Sequence, residues 1–368
     1  MNITYISNSS APSILPSSLQ IAKTCEALSQ IGNNVTLIIP DTKKLDINFF
    51  KFYNIENKFN LIILSVFKKF PTGCNYYLFS LLAIFRSIFL NTNLIITRNF
   101  FIIFLCSLFR LNCILELHHD IKIEGRIVRF LVKKTNFLNS KKIFKIVAIS
   151  ETIKNHYIDY YNVNKKKIVV LPSGSSLKAK FEFKIKSKLD IGYFGSLSSS
   201  KGIDLILKLS RLDKTNNYWI YGGYTNSINK LALKKCNGNL FLGKYLSYKR
   251  LLKTMSKMDI LLLPYKNVVH SAGDVDNIAE FTSPLKLFDY LACGKLILSS
   301  NLDVFKEIVK DKKNCILVNN FNSPFSWLKE IKKIENNFYK RFTISKNAYV
   351  LSKKFYHKAR VRNYVNRP

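Results

Sequence analysis

The sequence is poor in acidic residues, in paired cysteines and in long apolar runs, and each shortage excludes a class of protein. Its 368 residues include 23 Asp and Glu against 58 Lys and Arg, a formal net charge of +35 at pH 7. Hydrophobic residues still make up 48% of the chain, so a disordered polycation is excluded. A chain of this length can bury the cores of two ordinary domains.

The seven cysteines are scattered and form no C-x-x-C pair of the kind that binds zinc or exchanges disulfides. We therefore expect a reducing, cytoplasmic environment. The N-terminal residues lack a basic stretch followed by an apolar one, so we expect no secretory signal. In the most hydrophobic segment, Tyr76–Leu117, no uninterrupted apolar run reaches the roughly 18 residues of a spanning helix. We expect it to form buried strands and helices.

Short runs of Leu and β-branched residues alternate with longer segments of helical period, which predicts parallel sheets covered by helices. The first series of predicted strands is Ile3–Ile6, Val35–Ile39, Leu61–Val66, Leu94–Thr97, Cys113–Leu117, Ile146–Ile149 and Ile168–Leu171. The second is Leu189–Phe194, Tyr218–Tyr221, Asn239–Leu242, Ile260–Pro264, Leu296–Ser299 and Cys315–Val318. So many strands exceed one compact sheet and predict an α/β protein of two Rossmann-like domains, at residues 1–172 and 173–349.

The first predicted strand leads into an amphipathic helix. Ser17 and Ser18 are expected to cap this helix, and Ile21, Cys25 and Leu28 recur on one face of it. Gly32 is expected to end it before the second strand.

A loop in the second half is a candidate for phosphate binding, because open α/β sheets bind ligands beyond the carboxyl ends of their strands. The segment Tyr193–Asp204 ends a strand, continues with small residues and carries Lys201 into the next helix. Its backbone N–H groups and Lys201 are candidates for holding a diphosphate. The alternative is an ordinary serine-rich turn with a solvated lysine.

A second loop, Glu280–Lys295, precedes a predicted strand. If Ser283 caps a helix with Pro284 at its first position, Lys286 lies in the first turn and can reach an anion at the helix end. Asp289 follows on a similar face and offers a carboxylate to vicinal ribose hydroxyls. The alternative is an exposed ion pair between Lys286 and Asp289.

A third candidate is the segment Leu115–Asp120, which ends a strand of the first half with two of the chain's five histidines. A histidine there can transfer a proton or donate a hydrogen bond, with a neighbouring acid fixing its tautomer. Consecutive residues rarely coordinate one ion, so we expect no metal site in His118-His119-Asp120.

These loops, in this order, resemble the family-4 glycosyltransferases of the two-domain GT-B fold, over nearly the whole chain. The similar segments are Asn2–Pro40, Glu116–His118, Ile146–Lys154, Val170–Gly174, Gly195–Asp204 and Ser283–Lys295. The last is the most specific, because S-P-L-K-L-F-D-Y-L-A-C-G-K is similar to the donor-site loop of that family.

The resemblance implies two Rossmann-like domains that face a central cleft. It also implies retaining, metal-independent transfer of a sugar, without a cofactor, from a UDP- or GDP-sugar to a glycan or lipid-linked saccharide, as in cell-surface polysaccharide or lipopolysaccharide biosynthesis. His118 would be catalytic, near the donor sugar. The implied donor-binding residues are Gly195, Ser196, Lys201, Ser283, Pro284, Leu285, Lys286 and Asp289. The family's closing helix would fall within Ser345–Val365, and we assign residues 350–368 to the first domain.

The chain departs from the family at three positions. Asp289 stands where the family has glutamate, Ser196 where many members have a basic residue, and Phe281 where an acid is usual, with Glu280 one residue out of register. A glycosyltransferase-like protein with weakened activity is therefore an alternative.

The segment Ile121–Val147 holds eight basic residues and one acidic residue among apolar ones. Arg126, Arg129 and Lys133 recur at helical spacing, which is typical of a helix lying on an anionic leaflet. We therefore predict a peripheral protein at the inner face of the plasma membrane; an ordinary surface helix is the alternative. Nucleic-acid binding is a further alternative for the +35, but no RNP, zinc-finger or helix-turn-helix signature supports it, and we expect none.

Overall fold

The computed structural model describes residues 1–9, 11–41, 48–65, 72–177, 179–223, 238–267 and 285–365. The chain divides into two compact units, Met1–Ser173 with His357–Pro368 and Gly174–Tyr356. Each unit is built on a parallel sheet, and all thirteen predicted strands are present within a few residues of their predicted bounds. Two α/β units of this kind make up the GT-B fold.

The first unit contains a seven-stranded sheet. Its strands are β1 (Asn2–Ile6), β2 (Asn34–Pro40), β3 (Asn60–Leu64), β4 (Leu94–Thr97), β5 (Cys113–Leu117), β6 (Ile143–Ala148) and β7 (Ile168–Val170). Their order is β3-β2-β1-β4-β5-β6-β7, and every neighbouring pair is parallel. Strands β4 and β5 are buried along their whole length, which explains why their residues are mostly apolar; the exceptions are Thr97 and Glu116.

The helices of the first unit connect successive strands, apart from the last. They are α1 (Pro16–Gln30), α2 (Phe49–Phe52), α3 (Thr72–Phe89), α4 (Phe100–Leu108), α5 (Arg126–Lys134), α6 (Glu151–Tyr161) and the C-terminal His357–Val365. Short 3-10 helices lie at Ile121–Ile123, Phe137–Asn139 and Lys165–Lys167.

The second unit contains a six-stranded parallel sheet in the order β10-β9-β8-β11-β12-β13. Its strands are β8 (Asp190–Phe194), β9 (Asn217–Tyr221), β10 (Leu240–Gly243), β11 (Ile260–Leu263), β12 (Leu296–Ser300) and β13 (Ile316–Val318). Its α-helices are α7 (Ile203–Leu212), α8 (Tyr248–Met255), α9 (Leu285–Cys293), α10 (Asp303–Lys306), α11 (Pro324–Glu335) and α12 (Phe338–Ser352), with 3-10 helices at Ser199–Lys201 and Lys353–Phe355. The helix His357–Val365 of the first unit is α13.

The first helix begins differently from its prediction. Helix α1 starts at Pro16, and the residue before it, Leu15, makes no side-chain capping bond. Proline suits this position because it has no N–H to satisfy and its φ is already helical. Ser18 therefore lies inside the helix, where its hydroxyl accepts a hydrogen bond from Ser13 at 2.9 Å. Gly32 follows the helix with φ +89°, as expected.

The segment Tyr76–Leu117 forms α3, β4, α4 and β5, but it is not buried throughout. Phe89 of α3 is 79% exposed, and Leu108 at the end of α4 is 63% exposed. The expectation of a fully buried segment was wrong because apolar side chains occupy the outer side of α3 as well as its inner side.

The C-terminal segment that joins the first unit begins at residue 357, rather than at residue 350. Helix α12 packs against α9 and β12 of the second unit, which keeps residues 350–356 there. Helix α13 packs against α1, and the Arg360 guanidinium donates to the carbonyl of Pro172 at 2.8 Å.

Candidate active site

Two lysines of the second unit meet around one tyrosine ring. Lys201 ends the 3-10 helix that follows β8, and Lys286 lies in the first turn of α9. Their ammonium nitrogens lie 4.2 Å and 5.3 Å, respectively, from the ring centroid of Tyr265. The Lys286 ammonium also donates to the hydroxyl of Tyr193 at 2.9 Å. The structure thus brings together two lysines that the sequence places 85 positions apart.

Neither lysine has a carboxylate partner within 4 Å among the described residues. Burial lowers the pKa of Lys201 to about 8. Burial, and then the charge of Lys201, hold the pKa of Lys286 well below its usual value. A buried ammonium without a counter-charge is costly, and an anion placed between the two lysines would offset that cost.

Gly195 provides the space that Lys286 occupies. Its φ of +146° is a conformation that side-chain-bearing residues rarely adopt, and a Cβ here would collide with the end of the Lys286 side chain. The next residue, Ser196, is exposed, and its carbonyl accepts a hydrogen bond from Tyr193 at 2.7 Å. Gly195 and Ser196 therefore border the lysine pair.

Leu285, which is partly buried, is the first described residue of α9. Ser283 and Pro284 lie outside the described residues, as do Glu280 and Phe281. The proposed cap of α9 and its binding role stay predictions.

Asp289 lies on the buried side of α9 and is only 6% exposed. Its Oδ1 accepts hydrogen bonds from Ser175 Oγ at 2.5 Å and Tyr248 Oη at 3.1 Å. Burial raises the pKa of Asp289 to about 6, although the two hydroxyls act in the opposite direction. These contacts do not fit an exposed ion pair with Lys286.

Tyr193, Tyr265, Ser175 and Tyr248 were not identified as site residues from the sequence. Ser175 lies in the predicted turn between the domains, and Tyr265 follows a predicted strand end, which is the position where ligand-binding residues gather. Tyr248 offered no comparable signal.

His118 belongs to the first unit and follows the last residue of β5. Its Nε2 lies 3.5 Å from Oε2 of Glu116. Burial, followed by the charge of Arg98, lowers the pKa of His118 to about 3, so the imidazole is neutral near pH 7. A neutral imidazole can accept or donate a hydrogen bond, but it does not act as a general acid near pH 7.

The neighbouring acid expected beside His118 is Glu116, which lies two positions before it, as residues i and i+2 of a strand lie on the same face. Asp120 instead pairs with His156 at 3.0 Å and accepts from Tyr161 at 2.5 Å.

Glu116 is itself the centre of a buried network. Its carboxylate accepts from Tyr5 at 2.7 Å, from Arg98 at 2.9 Å, from Arg360 at 3.4 Å and from Tyr364. Burial alone would raise the pKa of Glu116, but the charges of Arg98 and Arg360 hold this pKa well below its usual value. The network fastens α13 to the strand end that carries His118.

Residues 176–350 match the family model described as glycosyl transferases group 1. This region is a group 1 glycosyltransferase domain. It contains Lys201, Lys286, Asp289 and the tyrosines around them. The finer assignment to family 4 stays a prediction.

A curated relative of the chain is an uncharacterized glycosyltransferase, MJ1069, of Methanocaldococcus jannaschii. It is 28% identical over 233 residues, which are 58% of this chain and 55% of the relative. The match therefore spans little more than half of that relative's length.

Solved structures share the fold over the whole chain. Anabaena Alr3699/HepE in complex with UDP and glucose matches with a TM-score of 0.71 and 12% identity, over 99% of this chain and 98% of that one. Sucrose-phosphate synthase from Thermosynechococcus elongatus matches with a TM-score of 0.73 and 14% identity, over 99% and 97%. At such low identity the likeness establishes the GT-B fold alone.

Outside the glycosyltransferase domain, the basic segment of the first unit forms α5 and two short 3-10 helices. The helix α5 buries Val128 but exposes Ile127 and Phe130 beside Arg126 and Arg129. Among the described residues, no helix combines the length and apolarity needed to cross a bilayer.

Proposed function

We propose that this protein is a retaining glycosyltransferase that moves a sugar from a nucleoside-diphosphate sugar to a glycan or lipid-linked saccharide. The observation that carries the proposal is the pair of partly buried lysines, Lys201 and Lys286, which have no carboxylate partner among the described residues. A diphosphate supplies the negative charge that this pair lacks. The group 1 domain and the structural neighbour crystallised with UDP support a nucleotide-sugar donor, and favour UDP over GDP.

The donor is held by residues of the second unit. The diphosphate accepts from Lys201 and Lys286 and from backbone N–H groups at Ser196 and Leu285, whereas the N–H of Gly195 donates to the carbonyl of Tyr221 at 2.9 Å. Asp289 accepts from the ribose hydroxyls. Because Ser175 and Tyr248 both donate to its Oδ1, the carboxylate is oriented before the donor arrives.

Departure of the nucleoside diphosphate is the demanding step, because the bond from the sugar to the β-phosphate oxygen breaks and negative charge grows on that oxygen. The two ammonium groups stabilise that charge without moving, since Tyr193 and Tyr265 already fix their positions. In this proposal the lysines take the role that a divalent cation has in other transferases, and the reaction needs no cofactor beyond its substrates.

His118 acts on the donor sugar as a neutral hydrogen-bonding group. Its low pKa keeps the imidazole uncharged, and the fixed Glu116 beside it restrains the ring. The proposed role is therefore positioning of the sugar, with no change of protonation near pH 7.

The acceptor is proposed to be carried by a lipid at the inner face of the plasma membrane, in cell-surface polysaccharide or lipopolysaccharide biosynthesis. The support is α5, which presents Ile127 and Phe130 to solvent beside exposed basic residues. Such a surface suits peripheral binding to an anionic leaflet. We propose no nucleic-acid partner.

A panel of UDP-, GDP- and ADP-sugars tests the proposal by thermal shift and by nucleotide release, with and without membranes carrying acceptor lipids. We expect one class of donor to raise Tm and to release its nucleotide only when acceptor is present. A Tm shift without release from any donor would indicate the weakened glycosyltransferase-like protein. No shift with any donor, combined with tight binding to nucleic acid, would replace the proposal by a polyanion binder.

A further inference from the structure

Helix α3 carries an apolar stripe on the side that faces away from the sheet. Leu82, Phe85 and Phe89 recur at i, i+3 and i+7, and their exposed fractions are 38%, 47% and 79%. On the other side of the helix, Phe79 and Ala83 are buried. An amphipathic helix normally turns its apolar side to the core and a polar side to water, whereas the exposed side of α3 is mainly apolar and includes the charged Arg86.

The end of α4 extends this stripe. Phe109 follows α4 directly and packs against Phe85 with ring centroids 5.8 Å apart, and Leu108 is largely exposed. We call the exposed surface formed by Leu82, Phe85, Ile88, Phe89, Leu108 and Phe109 the apolar patch. Contiguous exposed apolar side chains of this kind mark a contact with a protein or a membrane.

The charge around the apolar patch is of one sign. Residues 72–111 contain no Asp or Glu, and Arg86 and Arg110, which lie beside patch residues in the chain, are exposed. Helix α5 contacts α4 and adds exposed Arg126, Arg129 and Lys133 on the next helix. The surface therefore combines an apolar centre with basic surroundings, which is the combination that anionic lipid attracts.

We propose that the apolar patch inserts into the interfacial layer of an anionic bilayer, while Arg86, Arg110 and α5 contact the lipid headgroups. The inference rests on the proposed function, in which the acceptor is carried by a lipid, and it adds the insertion surface. A second copy of the chain fits this surface less well, because two facing patches would bring their arginines together in molecules that each carry +35. Lipid supplies the opposite charge and the apolar layer together.

Vesicle sedimentation with the full chain tests the insertion, using phosphatidylcholine vesicles with and without phosphatidylglycerol. We expect the wild type to bind the anionic vesicles. Phe85→Ser with Phe89→Ser should lower the partition coefficient about tenfold or more, because two large apolar side chains no longer leave water. The matched control, Phe338→Ser with Tyr339→Ser, removes two exposed aromatic residues from the second unit and should bind like the wild type.

The contribution of the basic residues of α5 to vesicle binding can be measured separately from that of the apolar patch. Arg126→Gln, Arg129→Gln and Lys133→Gln together should reduce the part of binding that salt weakens, with Arg86 and Arg110 retaining the rest, whereas the loss in the Phe85 and Phe89 variant should persist at high salt. A Phe89→Trp variant provides a direct readout, since brominated acyl chains should quench it when it inserts.

Wild-type protein that ignores anionic vesicles, or a Phe85 and Phe89 variant that binds them fully, would overturn the proposal. A change from dimer to monomer in that variant, with vesicle binding intact, would assign the patch to a second copy. The donor-induced Tm shift is measured on the same samples. Because the donor residues lie in the second unit, that shift separates a failure of the insertion surface from a failure of the transferase proposal.

Discussion

Glu116 in the first unit is buried and Lys286 in the second is partly buried, and the surroundings of the two charged groups differ. Glu116 is met by the guanidinium groups of Arg98 and Arg360 and by two tyrosine hydroxyls. Lys286 is met by a hydroxyl, by two aromatic rings and, nearby, by the second ammonium of Lys201. Among the described residues, the first cluster contains both signs of charge, whereas the second contains no carboxylate partner for its lysines.

This difference separates two uses of burial. A buried carboxylate that is paired and hydrogen-bonded stays ionised. Removing one partner destabilises the protein, because the remaining charged groups stay buried without a counter-charge. A buried ammonium without a counter-ion destabilises the free protein. Binding of an anionic ligand offsets this desolvation cost. We therefore expect the buried charge of the first unit to serve structure, and we propose that the lysines of the second unit serve binding.

The largest expected effect comes from Lys286→Met. Transfer should fall by roughly 10²–10³-fold, because one of two groups that stabilise the leaving diphosphate is lost. The free protein should become more stable by about 1 kcal/mol, because a buried charge is removed. This gain should be largest at low pH and shrink as pH rises through the depressed pKa of Lys286, where the wild-type lysine loses its proton. Steady-state kinetics and thermal unfolding measure the two effects.

The matched control is Lys186→Met. Lys186 pairs with Asp190 at 2.7 Å and with Asp259 at 3.1 Å. Its loss should therefore lower stability by about 1 kcal/mol and leave transfer unchanged. If both variants changed stability in the same direction, the contrast between paired and unpaired lysines would not hold.

The second expected effect is on the first unit. Glu116→Gln leaves Arg98 and Arg360 buried without their carboxylate and should cost about 3 kcal/mol. Both tryptophans, Trp219 and Trp327, lie in the second unit, so their fluorescence reports that unit, whereas far-UV circular dichroism reports both. In urea we expect an earlier transition by circular dichroism and an unchanged one by fluorescence.

A surface carboxylate provides the comparison for Glu116. Glu151 pairs with Lys154 at 2.9 Å, and more than half of its side chain is exposed. Glu151→Gln should change stability by less than about 0.5 kcal/mol. An equally small effect of Glu116→Gln would show that the buried network does not hold α13 in place.

The strands could be predicted from the sequence because each is a short apolar run bounded by turn residues. Lys201 and Lys286 could be selected because one follows a strand end and the other begins a helix, where ligands bind, and Asp289 because it follows Lys286 on a similar face of that helix. The tyrosines that fix the lysines could not, since Tyr193 and Tyr265 meet Lys286 only through the fold. The same holds for Arg360, which reaches Glu116 across 244 positions of chain.

The outer side of α3 shows a second limit of predicting burial from the sequence. Apolar periodicity identifies a helix by the contrast between its two sides, and Leu82, Phe85 and Phe89 remove that contrast. The sequence alone therefore placed α3 in the core. Only the fold distinguishes an apolar residue that faces the sheet from one that faces solvent.

The smallest expected effect concerns the pH dependence of donor affinity. Asp289 must be ionised to accept from ribose hydroxyls, and its pKa of about 6 means that affinity should fall as pH drops below that value. Lys201 must be protonated, and its pKa of about 8 means that affinity should also fall at higher pH. A UDP-sugar is a suitable probe, because both of its phosphates are esterified and do not titrate in this range. Calorimetric titration across this range should give a bell-shaped profile.

Two variants test which residue causes the fall in donor affinity at each end of the pH profile, the acid limb and the alkaline limb. Asp289→Asn should bind the donor roughly tenfold more weakly near neutral pH, because a charge-assisted hydrogen bond is lost, and should have no acid limb. Ser175→Ala removes a hydroxyl that stabilises the ionised carboxylate, so its acid limb should move to higher pH. The alkaline limb should stay in place in both variants, since it belongs to Lys201. An acid limb that survived Asp289→Asn would remove the carboxylate from the donor site. Loss of the alkaline limb in the same variant would show that Asp289 and Lys201 titrate together.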